Sequence, residues 1–256
     1  MVDTTPTTAQ TPTTAEAMKF AAAPAIETYG MPHNYGKGLS EIKFSSVFGL
    51  STAAQSINLH KLLCTPACLM AMAYHENFTL VPCLYTALHG TYSICWLLHA
   101  VMFPPKNFEI ALTPGQFVMN FVFVNLYWAL PWYSAKTGVE GAIGVPQICA
   151  AVAIYTMGMF LHYVADAHKY YALKYRGKGL VTDGLYAYSR NPNYVGEVLI
   201  YIGFGLLQMS AVPWCINLFF WSTLFVMNAI NKDKSLSRYE GWAEYKKQSG
   251  MFFPGF

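Results

Sequence analysis

The residues of this chain best suited to chemistry lie in one polar stretch, 183–197, reading Asp-Gly-Leu-Tyr-Ala-Tyr-Ser-Arg-Asn-Pro-Asn-Tyr-Val-Gly-Glu. Arg190, Asn193 and Glu197 stand there at the threshold of a long apolar run, where such groups are costly unless something binds them. Asn193 and Glu197 are four residues apart and so share one face of a helix. A capping amide and a carboxylate favoured by the helix dipole would account for the pair structurally. A glutamate one turn into an apolar helix also calls for a donor, and a ribose or carboxamide would serve. His162 and Asp166 repeat the four-residue spacing upstream, and Lys169, Lys174, Arg176 and Lys178 follow as a basic loop. That loop reads either as attraction to anionic lipid or as a phosphate clamp for a nucleotide cofactor. The chain has no Gly-x-Gly-x-x-Gly after a strand and no Walker loop, so a cofactor would sit within a helix bundle. Two cofactors suit such a cavity. S-adenosylmethionine wants carboxylates, whereas the basic loop with Lys232, Lys234 and Arg238 fits an anionic nicotinamide dinucleotide better.

The elements that must position these residues are apolar. Hydrophobic residues make up 54% of the 256 and charged residues 11%, less than half the roughly 25% of an ordinary soluble domain. This composition predicts an integral membrane protein in contact with lipids, and the net charge of +3 is too small to argue for a nucleic-acid partner. The fold class is all-α, a polytopic transmembrane helix bundle with five to six spans and a C-terminal helical hairpin. Spans are expected over 79–103, 117–133, 142–164, 194–210 and 212–230, with a shorter sixth at 62–74. An amphipathic surface helix is expected over 45–58. Alternating the five clear spans puts Lys106, the 169–190 loop and the 232–247 segment on one face, which the positive-inside rule assigns to the cytoplasm or a mitochondrial matrix. His89, Tyr92 and His99 then run along the first clear span toward that face.

Residues 1–40 are rich in Thr, Ala and Pro, without the apolar core of a signal peptide. They read as a flexible or partner-bound polar tail ahead of a membrane domain over 41–256. The six cysteines sit within apolar runs, with no Cys-x-x-Cys pair and no histidine spacing for zinc. They read as buried thiols, and no metal site is expected.

Over roughly its last hundred residues the chain resembles the superfamily of membrane reductases and methyltransferases that includes steroid 5α-reductases, sterol reductases and isoprenylcysteine methyltransferases. The resemblance rests on Gly184-Leu-Tyr186, Arg190-Asn-Pro192, Asn193-Tyr194-Val-Gly196-Glu197, Tyr245-Lys246 and a closing Phe-Pro. With His89-Gly-Thr-Tyr92 and Trp96-Leu-Leu-His99, the chain looks most like the steroid-reductase-like, DUF1295-type membrane proteins. This resemblance implies a reductase in which NADPH delivers hydride to an activated double bond of a steroid or lipid. Tyr92 would be the acid, with His89 or His99 as neighbours, and His162, Asp166, Lys174, Arg176, Arg190, Asn193 and Glu197 would hold the cofactor.

The chain departs from the family at Asn228, Asn231, Lys232 and Asp233, where reductases resemble one another in an arginine and a histidine and methyltransferases in paired glutamates. Two alternatives therefore stand beside the NADPH-dependent lipid enone reductase. One is a non-catalytic accessory subunit of a large membrane assembly, whose protein partners would hold the tail. The other is an S-adenosylmethionine-dependent methyltransferase of a lipid or prenylated substrate. The reductase implies the endoplasmic reticulum, and the subunit implies the mitochondrial inner membrane.

Overall fold

Residues 48–103 and 110–254 are described by a computed structural model, and they belong to one compact unit, Lys43–Phe256. The tail expected over 1–40 and the Lys106 loop lie outside the described residues. Among those residues the chain is all-α, with nine α-helices and no strand. Two of its helical stretches, Val145–Arg176 and Ala211–Leu236, are long and apolar enough to cross a membrane.

Helix α1 (Ala53–Tyr74) starts at a capping box. Thr52 Oγ1 accepts from the Gln55 amide at 3.2 Å, and Gln55 Oε1 accepts from the Thr52 amide at 3.1 Å, which satisfies two of the open amides at that end. The surface helix expected over 45–58 is therefore corrected. Residues 48–52 are not helical, and 53–58 are the first turns of α1, where Gln55, Ser56 and Asn58 are buried. Polar side chains face inward from this helix because α2, α3 and α4 pack around it and leave its apolar residues Leu62, Leu69 and Met70 outside.

A helix, α2 (Leu80–Met102), forms where the span over 79–103 was expected, though it is not one of the two stretches apolar enough to cross a membrane. It buries Val81, Tyr85, His89, Tyr92 and His99 at spacings of three, four and seven, a single stripe. The span expected over 117–133 is divided into α3 (Pro114–Val124), a 3₁₀ turn (Asn125–Trp128) and α4 (Ala129–Thr137).

Helix α5 (Val145–Arg176) overruns its expected span by three turns, and its largest interface is with α6 (Pro192–Leu206). Small residues create that interface. A Cβ on Gly158 would lie 2.6 Å from the Gly196 carbonyl oxygen, one on Gly203 2.9 Å from the Ala151 carbonyl oxygen, and one on Gly196 would run into the His162 backbone. The two backbones touch, as small residues allow between closely crossing helices.

Between these helices the chain turns through Gly184, whose φ of +57° favours glycine and whose added Cβ would meet the His168 ring at 2.8 Å. The hairpin expected at the C-terminal end is formed by α6 and a run of α7 (Ala211–Phe220), a π turn (Trp221–Phe225) and α8 (Val226–Leu236). Trp214 packs on Gly205, and Asn217 Nδ2 donates to the Tyr201 carbonyl at 3.4 Å. The short α9 (Trp242–Gln248) folds back on the 186–191 loop. There the Tyr245 hydroxyl donates to the Tyr186 carbonyl at 2.9 Å, and the Arg190 amide donates to Gly250 at 2.9 Å. Burial pushes the Tyr245 phenol up to about 12.

The molecule is inverted relative to a water-soluble bundle. Leu69, Met70, Leu80, Met102, Met119, Val145, Phe160 and Leu218 are exposed, while Lys61, His60, His89, His162, Asn193 and Asn217 are buried.

Candidate functional site

Four helices bring a polar cluster into the interior. Helix α6 supplies Asn193 and Glu197, α5 supplies His162, Tyr163 and Asp166, α2 supplies Tyr92, Trp96 and His99, and α1 supplies Asn58 and Lys61. Glu197 is its centre. The Tyr92 hydroxyl donates to Glu197 Oε1 at 3.3 Å, and Tyr127, Tyr163, Tyr194 and Tyr201 also lie within electrostatic reach of that carboxylate. Lys61, only 4% exposed, provides the countercharge that Glu197 feels. Its Nζ stands 3.9 Å from the centroid of the Tyr92 ring and 5.1 Å from that of Trp96, a cation–π arrangement strengthened by exclusion of water. Trp96 Nε1 donates to Asn58 at 3.1 Å, and its ring stacks on His162 at 6.1 Å.

The neighbouring atoms are polar and incompletely matched. His162 Nδ1 donates to the Asn193 carbonyl at 3.1 Å. His162 Nε2 and Asn193 Oδ1 are buried without a hydrogen-bond partner. His99 Nε2 is 3.5 Å from Asp166 Oδ2, and Lys169 reaches the other Asp166 oxygen at 3.6 Å. Asn193 Oδ1 is thus an orphan acceptor, which a ligand bringing a donor would satisfy.

The remaining residues singled out from the sequence lie elsewhere. His89 turns away from the cluster, with Nδ1 2.9 Å from the Tyr85 hydroxyl. Lys174 and Arg176 stand 12 and 14 residues beyond His162 on α5, so roughly 18 and 21 Å further along the axis. Lys174 lies over Tyr170, Tyr171 and Tyr175 at 5.4–5.9 Å. Arg176 donates to Asp183 at 2.7 Å, which holds that carboxyl below the usual carboxylate range.

Arg190 serves the fold. Its Nε and Nη2 grip Asp233 at 3.0 Å each, its Nη1 donates to the Ser249 and Lys246 carbonyls, and Lys232 Nζ caps the Arg190 carbonyl at 2.6 Å. Of the cofactor residues expected from the sequence, His162, Asp166, Asn193 and Glu197 come together in the cluster, whereas Lys174, Arg176 and Arg190 are engaged elsewhere. Arg176 and Arg190 are each paired with an aspartate, Asp183 and Asp233. Two cavities, of about 300 and 210 Å³, lie away from the cluster, one against Asp233 and Trp242 and the other against Phe48 and Gln55.

Sequence reasoning missed Lys61 and Trp96 as members of this cluster, and reached Asn58 only within a polar stretch, Gln55 to His60, that the family resemblance offered as a catalytic group. The signal for Lys61 was available, because it is the one lysine between two apolar stretches in 53–74.

An all-helical bundle with an inward-facing carboxylate, ringed by phenols and one buried ammonium, is the class these observations define. The chain belongs to the family described as "Protein of unknown function (DUF1295)", whose model matches residues 107–251. No curated protein and no solved structure matches it. The matched region contains Asp166, Arg190, Asn193 and Glu197, while Lys61, Tyr92 and His99 come from the helices before it.

Proposed function

We propose that the protein is a membrane reductase of a steroid, sterol or other lipid enone, built on a polytopic bundle of five to six spans. The contact of Tyr92 with Glu197 beneath Lys61 carries this reading. An enone that accepts hydride at its β-carbon needs a proton at its carbonyl oxygen. The Tyr92 hydroxyl, released from its hydrogen bond to Glu197, would give its proton to that oxygen, and Lys61 over the ring would stabilise the phenolate left behind. Asn193 and His162 would hold the carboxamide end of NADPH, which supplies the hydride when bound. The exposed apolar side chains supply the lipid-facing surface and a route for an apolar substrate.

The test uses purified protein in nanodiscs with NADPH and a panel of steroid and lipid enones, read as NADPH oxidation and as reduced product by mass spectrometry. Tyr92→Phe is expected to lower turnover by about 10²-fold or more with little change in NADPH affinity or melting. Asn193→Ala is expected to weaken NADPH binding in calorimetry. Wild-type protein that binds no NADPH would sink the proposal.

A second reading, an accessory subunit of a membrane assembly in the mitochondrial inner membrane, draws support from the engagement of Arg190 within the fold and from cavities that lie away from Glu197. It predicts co-purification in a stable complex without turnover. A methyltransferase is disfavoured because Asn228, Asn231, Lys232 and Asp233 stand where paired glutamates would be expected.

A further inference from the structure

We infer that Cys64, Cys68 and His89 form a binding site for one thiophilic closed-shell cation, with zinc(II) favoured by charge. The site lies between α1 and α2 and does not rest on the reductase reading. The two sulfurs and a nitrogen of His89 all lie within 4.8 Å of one another, and the three residues are 0%, 1% and 0% exposed. A zinc ion with Zn–S bonds of about 2.3 Å needs ligand atoms about 3.8 Å apart, so ordinary rotamer adjustments close the site.

The ligands are already oriented. Cys64 and Cys68 project from successive turns of α1. His89 Nδ1 lies 2.9 Å from the Tyr85 hydroxyl, and in the tautomer whose Nδ1–H donates there, Nε2 is free to coordinate. That Nε2 is buried and has no hydrogen-bond partner, a costly arrangement unless something coordinates it.

Binding of Zn²⁺ displaces two thiol protons to solvent and forms two Zn–S bonds and one Zn–N bond. Two thiolates balance the dication, so the complex is neutral, as an apolar surrounding requires. His60, one turn before Cys64, has Nδ1 2.6 Å from Asn125 Oδ1 and another buried, unpartnered Nε2. It lies within electrostatic reach of Cys64 and His89 but outside the three-ligand group, whose fourth position is left to water or another donor. The spacing was illegible in the sequence because the ligands come from two helices in no recognised motif.

The experiment is elemental analysis of full-length protein purified in detergent without chelator, followed by exchange with cobalt(II). About one zinc per chain is expected, with thiolate-to-cobalt charge-transfer absorption in the exchanged protein. Cys64→Ser, Cys68→Ser and His89→Ala should each weaken metal affinity by at least about tenfold, while Cys215→Ser, at an exposed thiol, should not. Copper in place of zinc supports the site and reassigns the ion. Wild-type protein that takes up cobalt without thiolate absorption overturns the proposal, whether or not the variants fold. So does metal retained at full stoichiometry by a Cys64→Ser, Cys68→Ser double variant, or a Cys64–Cys68 disulfide in protein that cannot be metal-loaded after reduction.

Discussion

At the scale of single residues, Arg190 shows how a side chain chosen for chemistry can belong to architecture. Its place in the Arg190-Asn-Pro192 stretch was legible, but its partner was not, because Asp233 lies 43 residues away and reaches it only through the hairpin. The guanidinium and carboxylate side chains are 5% and 11% exposed, so removing one leaves the other charged and unpaired. Asp233→Ala or Arg190→Ala is expected to cost about 3–5 kcal/mol, measured as loss of thermal stability in detergent. An Arg190→Met, Asp233→Leu double variant is expected to recover much of it. The exposed pair Arg176–Asp183 behaves differently. Because Arg176 depresses the Asp183 pKa, its stabilisation is fully present above the unfolded value of about 3.9 and disappears as pH falls through the lower folded value. Hydrogen exchange across 177–183, corrected for intrinsic rates, should therefore be flat from neutral pH down to that range and rise only below it.

At the scale of elements, apolar periodicity located the helices well and their continuity poorly. The run over 212–230 reads as one helix, and the structure keeps it as one, but with a π turn inside. Buried positions along it are Pro213, Asn217, Phe220, Phe225, Ala229 and Asp233. The one gap of five spans the π turn, which keeps Asp233 on the inner face where a uniform α-helix would drift away. No composition signal marks that insertion. The glycine contacts of α5 and α6 were equally hidden, since Gly158 and Gly196 acquire meaning only as a pair. Gly158→Leu is expected to force the two helices apart and destabilise the bundle by at least about 1–3 kcal/mol, displacing His162 relative to Asn193. Thermal unfolding with a matched Gly115→Leu control, at a site open to solvent, measures the difference.

At the scale of the whole molecule, the apolar exterior was legible from composition alone, and the polar interior was legible only in part. Asn193 and Glu197 announced themselves through a motif, whereas the contact of Lys61 with Tyr92 appears only once α1 packs on α2. If lipid covers Leu69, Met119, Phe160 and Leu218, the expressed protein should remain in the membrane pellet after an alkaline carbonate wash and require detergent for release. Release by carbonate alone would contradict the membrane reading.

The length of α5 has a mechanical corollary. Its 32 residues span about 48 Å, against a hydrocarbon slab of about 30 Å, so an upright rod would stand well clear of the bilayer. The C-terminal turn of α5 carries Lys174 and Arg176, and the hydrogen bond of Arg176 to Asp183 ties the 177–191 loop to the rod. A push or twist applied outside the bilayer, by a docking protein or by crowded lipid headgroups, would be transmitted along an unbroken helix to Gly158 and thus to the seat of Glu197.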